Sequence, residues 1–244
     1  MSTPYKYAFI DANYILKRNG AAMSKGGTVR IEEDELKKSF YASIAKINKE
    51  LGAVIGSENG FEKAVLLFDR YPYRKSAALP AYKGDRVYYT KEYIEEHKAE
   101  LEAEGKLEDA YNQADFNEKM MHVKYGILWH PENGYKTLGI KGFEADDLAY
   151  LLAKSVENKP YRSIVISVDH DWNTFINDQV DFITPPGGKW GMDKRTAQIE
   201  RDKLLSSQFN IPIYNLGICN ELYNASHNNI SVYKDLHPEI TYKA

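Results

Sequence analysis

Short apolar runs alternate with longer amphipathic segments along this chain. Three of the runs lead into aspartate: YKYAFID (Tyr5–Asp11), KAVLLFD (Lys63–Asp69) and SIVISVDHD (Ser163–Asp171). Two weaker runs of the same kind are YKTLGIKG and QVDFIT, at 135–142 and 179–184. Continuous apolar runs of this length predict strands that are buried on both faces of a parallel sheet.

The segments between these runs have helical spacing. The stretch 31–51 predicts a helix whose apolar positions are Leu36, Phe40, Ile44 and Ile47. EADDLAYLLAKSV, at 144–156, predicts a second helix with a core-facing stripe of Leu148, Leu151, Leu152 and Val156. The charged stretch 91–121 also favours helix. Because strands and helices alternate, the sequence predicts an α/β fold with a mainly parallel sheet and helices on both faces.

Composition narrows the class of protein. The 244 residues are 43% hydrophobic, enough for one core or a core with a small appendage. A single cysteine, Cys219, excludes an internal disulfide framework and a cysteine-based zinc cluster. The net charge of −3 gives no overall sign of nucleic-acid binding, although a local basic patch is compatible with it. With no apolar run of membrane-spanning length and no leader pattern, we expect a soluble cytoplasmic protein that does not bind membranes.

Carboxylates gather where the predicted strands end. The set has seven members: Asp11, Asp69, Glu144, Asp146, Asp147, Asp169 and Asp171. A single acidic residue at a helix start is usually a helix cap. Seven at one sheet edge repel by up to ~4 kcal/mol per close pair. Hard divalent cations such as Mg²⁺ or Mn²⁺ bind carboxylate oxygens, and such sites typically process phosphates. The sequence therefore predicts one or two metal ions and a phosphodiester substrate.

A basic segment follows the second aspartate strand. YRKSAALPAYKGDR, Tyr73–Arg86, places four cations around Tyr82: Arg74, Lys75, Lys83 and Arg86. Such a run suits a phosphate backbone with a stacked base, and a solvated loop is the alternative interpretation. Trp129 is expected to be a packing residue.

Four ordered motifs resemble those of the 5′ nucleases, the flap endonucleases and 5′–3′ exonucleases, especially those of bacteriophages. They are FIDANYILKR, LLFDRYPYRKSAALPAYKGDR, GFEADDLAYLLAK and ISVDHDW, and the resemblance covers roughly residues 5–185. It implies a three-layer PIN-like fold with a mainly parallel central sheet, a helical arch and a short helical C-terminal tail. The catalytic domain would span 1–190, with the arch at about 71–133, and the tail 191–244.

The resemblance also implies roles for individual residues. Asp11, Asp69, Glu144, Asp146 and Asp147 would hold the first metal, and Asp169 and Asp171 would bridge toward a second. Arg18, Tyr82, Lys83 and Arg86 would hold the scissile phosphate and the neighbouring bases, with Arg74 and Lys75 in the same basic segment. Lys83 and Arg86, with Asp69 and Asp146, would be the catalytic residues, Lys83 by stabilising charge on the transferring phosphate.

The sequence departs from that family near its end. LYNASHNNIS, Leu222–Ser231, has Ala225 and Asn228 where the family has two aspartates of the second metal site, and fourteen residues follow Ile230. We expect a shortened remnant of the family's helix–hairpin–helix region. Three functions stay open: a nuclease acting on single-stranded, flap or 5′-end DNA or on RNA in hybrids, a DNA-binding module or split nuclease whose duplex-binding part a second protein supplies, and a PIN-type endoribonuclease.

Overall fold

The five apolar runs form the strands of one sheet. The computed structural model describes residues 3–24, 32–71, 88–169, 172 and 175–184. The strands are β1 (Tyr5–Asp11), β2 (Phe61–Leu67), β3 (Lys136–Leu138), β4 (Ser163–Ile166) and β5 (Val180–Ile183). All four pairings are parallel, and the strand order is β3-β2-β1-β4-β5. The predicted α/β class with a parallel sheet is confirmed.

The strand order places a switch point beside β1. The chain moves from β1 outward through β2 to β3, then returns to the other side of β1 for β4 and β5. In the register, Ile10 of β1 lies beside Leu66 of β2 and Ile166 of β4. Ligands of open α/β sheets bind outside the carboxyl ends of the strands where the order reverses. That position here is the carboxyl end of β1 and β4.

Helices connect the strands and cover the sheet. They are α1 (Ala12–Met23), α2 (Glu33–Ile55), α3 (Lys91–Glu96), α4 (Lys98–Ala103), α5 (Leu107–Trp129) and α6 (Ala145–Val156). Helices α1, α2 and α5 contact one another, whereas α6 contacts β1, β2 and β4. Helix α2 connects β1 to β2, and α6 connects β3 to β4 in the opposite direction across the sheet. Because parallel crossovers are right-handed, α2 and α6 lie on opposite faces of the sheet.

Burial along the strands agrees with two covered faces. Three consecutive residues of β1, Ala8 to Ile10, and all four of β4 are buried. Such continuous burial is possible only when both faces of the strand are packed.

In the part of the chain that the structure describes, no helix combines the length and the apolar character needed to cross a membrane.

Some sequence predictions need correction. Only Asp11 is the last residue of its strand, since β2 ends at Leu67 and β4 at Ile166, before Asp69 and Asp169. Leu151 was expected in the core but is 53% exposed. The reason is its angular position, because the buried stripe of α6 runs through small residues such as Ala149 and Ala153 instead.

The predicted arch region contains α3, α4 and α5, with its segment 72–87 outside the described residues. The C-terminal tail predicted at 191–244, including Ala225 and Asn228, is outside them as well. The two-domain division stays a prediction.

Candidate metal centre

Asp11 lies at the junction of β1 and α1. It is both the last residue of the strand and the N-cap of the helix, where its Oδ1 accepts a hydrogen bond from the N–H of Tyr14 at 3.1 Å. An aspartate is favoured there because its carboxylate satisfies an N–H that has no partner within the helix. The cap fixes the carboxylate at the carboxyl end of β1.

Ser167 links Asp11 to the neighbouring strand. This buried residue follows β4, and its N–H donates to the carbonyl of Ile183 at 3.2 Å. Its hydroxyl donates to Oδ2 of Asp11 at 3.0 Å and accepts from the N–H of Asp169 at 3.1 Å. One hydroxyl can do both because it carries a donor and two acceptor lone pairs. Asp11 and Asp169 therefore lie on the two sides of the β1–β4 switch point.

Asp69 is fixed to the loop that precedes α6. The N–H groups on either side of it, from Phe68 and Arg70, donate to the carbonyls of Leu138 and Phe143 at 2.9 and 3.0 Å. Its own Oδ1 accepts from the N–H of Ala145 at 2.7 Å. The pairing of β2 with β3 thus continues beyond the strands as loop contacts, and it positions the Asp69 carboxylate at the N-terminus of α6.

A tight turn delivers the acidic start of α6. The N–H of Phe143 donates to the carbonyl of Ile140 at 3.0 Å, and Gly142 has a φ of 89°. A positive φ at the third position of a turn favours glycine. The turn ends at Glu144, which is buried and is the N-cap of α6 rather than a residue of its first turn.

Three carboxylates meet at this helix start. One oxygen each of Glu144, Asp146 and Asp147 lies within 4.8 Å of the others. Local bonds orient two of them: Asp147 Oδ2 accepts from the N–H of Glu144, and Asp146 Oδ1 from the N–H of Asp147, both at 2.9 Å. These contacts are helix capping, as the simpler interpretation of the sequence expected.

The charges at the sheet edge influence one another. The pKa of Asp11 is raised to about 6, chiefly by burial and in smaller part by the charges of Asp69 and Asp169. The hydrogen bonds from Tyr14 and Ser167 act in the opposite direction and lower it. A raised carboxyl pKa means that the ionised form costs free energy in the metal-free protein. A cation would relieve that cost.

The donor set fits a hard divalent cation. All the groups are carboxylates, and Mg²⁺ and Mn²⁺ prefer such oxygen ligands. The structure groups the predicted ligands unequally: Glu144, Asp146 and Asp147 form one cluster with Asp69 against it, while Asp11 and Asp169 share Ser167. The assignment of these residues to a first and a second metal stays a prediction.

Sequence reasoning missed a lysine beside this cluster. Burial lowers the pKa of Lys124, on α5, while the charge of Asp69 raises it and the charges of Lys17 and Arg70 lower it. Lys124 therefore lies close enough to sense both the carboxylate and two other cations. Its position in a charged helix offered no signal, since the sequence does not show which turn of α5 reaches the sheet edge.

The predicted nucleic-acid-binding residues are only partly described. Arg18 lies on α1 with its guanidinium carbon 5.7 Å from the ring centre of Tyr14, whose N–H binds Asp11. The other predicted residues fall outside the described ranges: Asp171, Arg74, Lys75, Tyr82, Lys83 and Arg86. Their roles stay predictions.

A comparison with solved structures finds proteins of bacteriophage T5. A T5 protein crystallised with metal ions matches with 21% identity and a TM-score of 0.49, over 73% of this chain and 55% of that one. The T5 5′-exonuclease with bound zinc has 21% identity and a TM-score of 0.45, over 73% and 54%. A T5 flap endonuclease in complex with DNA and metal ions has 19% identity and a TM-score of 0.44, over 73% and 54%.

These neighbours belong to the group that the four sequence motifs resemble. At about one-fifth identity the likeness concerns the fold alone. The match spans only about half the length of each neighbour. A scan against models of known protein families finds no match, and neither does a search of curated proteins.

Proposed function

We propose that this protein is a divalent-metal-dependent 5′ nuclease that hydrolyses phosphodiester bonds of DNA. One observation carries the proposal: carboxylates at the end of β1 and just after β2 and β4 join those at the start of α6. They lie at the carboxyl edge of a parallel sheet, beside its switch point. DNA as substrate is supported by the motif resemblance. It also agrees with the T5 neighbour described as a complex with DNA.

The carboxylates of such a site would have different roles. Glu144, Asp146 and Asp147 would hold a divalent cation, Mg²⁺ or Mn²⁺ by the chemistry of the donors, with Asp69 next to them. Bound there, the cation would supply Lewis-acid chemistry for phosphodiester hydrolysis. Asp11, linked to the backbone of Asp169 through Ser167, would add to this first ion, and Asp169 would lie toward a second.

Positive residues would bring the phosphate to this acidic edge. Lys124 is near enough to Asp69 to interact with its charge, and Arg18 lies one turn along α1 from Tyr14. Cations in these places attract a phosphate backbone and offset charge on the transferring phosphate. By the motif resemblance, Lys83 and Arg86 would act directly on the scissile phosphate.

The test is cleavage of end-labelled single-stranded, blunt-duplex and 5′-flap DNA by the whole chain, in Mg²⁺ and in EDTA. Asp69→Asn is the matched variant, because an amide oxygen can still accept from the N–H of Ala145. We expect metal-dependent cutting of wild type and at least about a hundredfold slower cutting by the variant. The product ladder then reports exonuclease or flap cleavage.

Three outcomes would contradict the proposal. If wild type in EDTA, or Asp69→Asn in Mg²⁺, cuts as fast as wild type in Mg²⁺, the carboxylates do not take part in cleavage. DNA binding without any cleavage would favour a binding module that acts with a second protein. Cleavage of RNA but not of DNA in a parallel assay would favour a PIN-type endoribonuclease.

A further inference from the structure

An aromatic stack on α5 extends from the partly buried Tyr125 to the exposed Trp129. The rings of Tyr125 and Trp129, one turn apart on α5, have centroids 5.0 Å apart and planes inclined by 25°. The guanidinium carbon of Arg70 lies 5.1 Å from the ring centre of Tyr125. Two aromatic rings and a planar cation thus form one continuous group, here called the Arg70 stack.

Trp129 packs on Tyr125, as expected of a packing residue, but it lies at the surface rather than in the core. It is 62% exposed at the last residue of α5, whereas Trp172 is 2% exposed. Exposed tryptophan gives up most of the free energy that burial of its ring would provide. It retains a face of about the size of a nucleobase.

The Arg70 stack is continuous with the carboxylates. Arg70 follows Asp69 in the chain, and its N–H donates to the carbonyl of Phe143, the residue before Glu144. The charge of Asp69 raises the pKa of Lys124, which is next to Tyr125 in the chain, and the charge of Arg70 lowers it. The surface beside the acidic cluster therefore combines positive charge with aromatic faces. That combination binds single-stranded nucleic acid through its phosphates and its bases.

We propose that the Arg70 stack binds an unpaired nucleobase of the substrate strand, next to the phosphodiester held at the carboxylates. This inference rests on the proposed nuclease function and adds to it a second contact, made by the base rather than the backbone. Stacking on an aromatic side chain tolerates any base, so the contact would hold the strand without reading its sequence.

Substitutions at Trp129 test the role of the aromatic face. Affinity for a fluorescent single-stranded oligonucleotide is measured by anisotropy in EDTA, so that no cleavage intervenes. We expect Trp129→Leu to weaken binding about tenfold, within the range known for base–aromatic stacking, and Trp129→Phe to keep most of the affinity. Leu151→Ala is the matched control, because Leu151 is comparably exposed, at 53%, and has no aromatic face. Thermal melts confirm that each variant folds.

An abasic scan of the oligonucleotide locates the base. One nucleotide at a time is replaced by an abasic residue, and binding of wild type and Trp129→Leu is compared. We expect one position where the wild type loses about as much affinity as the substitution causes, and where Trp129→Leu loses nothing more. The inference would be overturned by any of three results. Trp129→Leu could bind as tightly as wild type, the Leu and Phe variants could lose the same affinity, or the losses from the abasic residue and from Trp129→Leu could be additive at every position.

The two proposals fail in distinguishable ways. If wild type cuts DNA in Mg²⁺ and Trp129→Leu binds as tightly as wild type, only the stacking inference is wrong. If wild type neither cuts nor binds any of the oligonucleotides, the nuclease proposal is wrong and the stacking inference fails with it.

Discussion

The two ends of the central sheet treat their acidic side chains differently. At the amino end, the buried Asp181 of β5 forms an ion pair with Arg162 and accepts a hydrogen bond from the hydroxyl of Tyr5 at 2.6 Å. Lys6 and Glu62 form a second ion pair there, at 2.5 Å. Cations therefore neutralise carboxylates at this end.

At the carboxyl end, neutral groups hold the carboxylates. Asp11 accepts from the N–H of Tyr14 and the hydroxyl of Ser167, and Asp69 accepts from the N–H of Ala145. Neutral donors orient a carboxylate but leave its charge. Asp181 and Glu62 are thus paired with cations, whereas the hydrogen bonds to Asp11 and Asp69 come from neutral groups that orient the carboxylates.

The largest expected effect is a difference in DNA cleavage between variants at the two ends of the sheet. We expect Asp146→Asn to slow DNA cleavage at least about a hundredfold, because it removes one charge from the acidic cluster while an amide oxygen can still accept from Asp147 N–H. Asp181→Asn should leave the rate of cleavage unchanged and instead lower the free energy of unfolding by about 1–3 kcal/mol. Cleavage rates and urea unfolding measure the two quantities.

The comparison breaks if the two variants behave alike. Loss of folding in Asp146→Asn would make that residue structural, and loss of activity in a folded Asp181→Asn would extend the functional site to the amino end of the sheet.

A pH effect on stability should appear at Asp11. Its pKa rises from 3.8 to about 6 in the folded, metal-free protein, so the fold binds this proton more tightly than the unfolded chain does. The resulting stability is present below about pH 4 and is lost as pH rises through 6, by at most about 3 kcal/mol. We expect Asp11→Asn to avoid this loss.

The measurement is urea unfolding in EDTA at pH 4 and pH 7.5. The variant should gain stability over wild type at pH 7.5 and little at pH 4. Asp181→Asn, whose parent carboxylate is paired with Arg162, should show no such gain at either pH. The same difference between Asp11→Asn and wild type at both pH values would contradict the raised pKa of Asp11.

A smaller effect is expected from metal binding. Mg²⁺ or Mn²⁺ at about a hundred times its dissociation constant should stabilise wild type by about 2.7 kcal/mol, or roughly 5–10 °C in Tm. Asp181→Asn should keep this gain and Asp146→Asn should lose most of it, because only the latter changes the acidic cluster. Calorimetry measures Tm with and without the metal. An equal rise in Tm for all three proteins would indicate a nonspecific ion effect.

Much of the fold could be predicted from local patterns. The run Tyr5–Asp11 is β1 residue for residue, and QVDFIT contains β5. Buried parallel strands are continuous in apolar character, so each can be recognised without its neighbours. The acidic start of α6 was recognised for the same reason, since its side chains come from consecutive positions.

Other features depend on residues that are distant in sequence. Ser167 reaches Asp11 across 156 positions, and no pattern marks a serine after an apolar run as the link between the Asp11 carboxylate and the backbone N–H of Asp169. The nearness of Lys124 to Asp69 and the exposure of Trp129 could not be predicted either, because the helical pattern of α5 does not reveal which of its residues face the sheet edge. These contacts follow from strand order and helix packing.

The sequence by itself determined the identity of the strands, the class of fold and the residues able to bind metal, because apolar periodicity and carboxylate chemistry are local properties. Only the tertiary structure decided that β4 lies beside β1 rather than beside β3. That pairing brings Asp11 and Asp169 to one hydroxyl and places the switch point at the acidic edge. The physical reason is that side-chain type is fixed residue by residue, whereas proximity is fixed by the order in which distant strands pair.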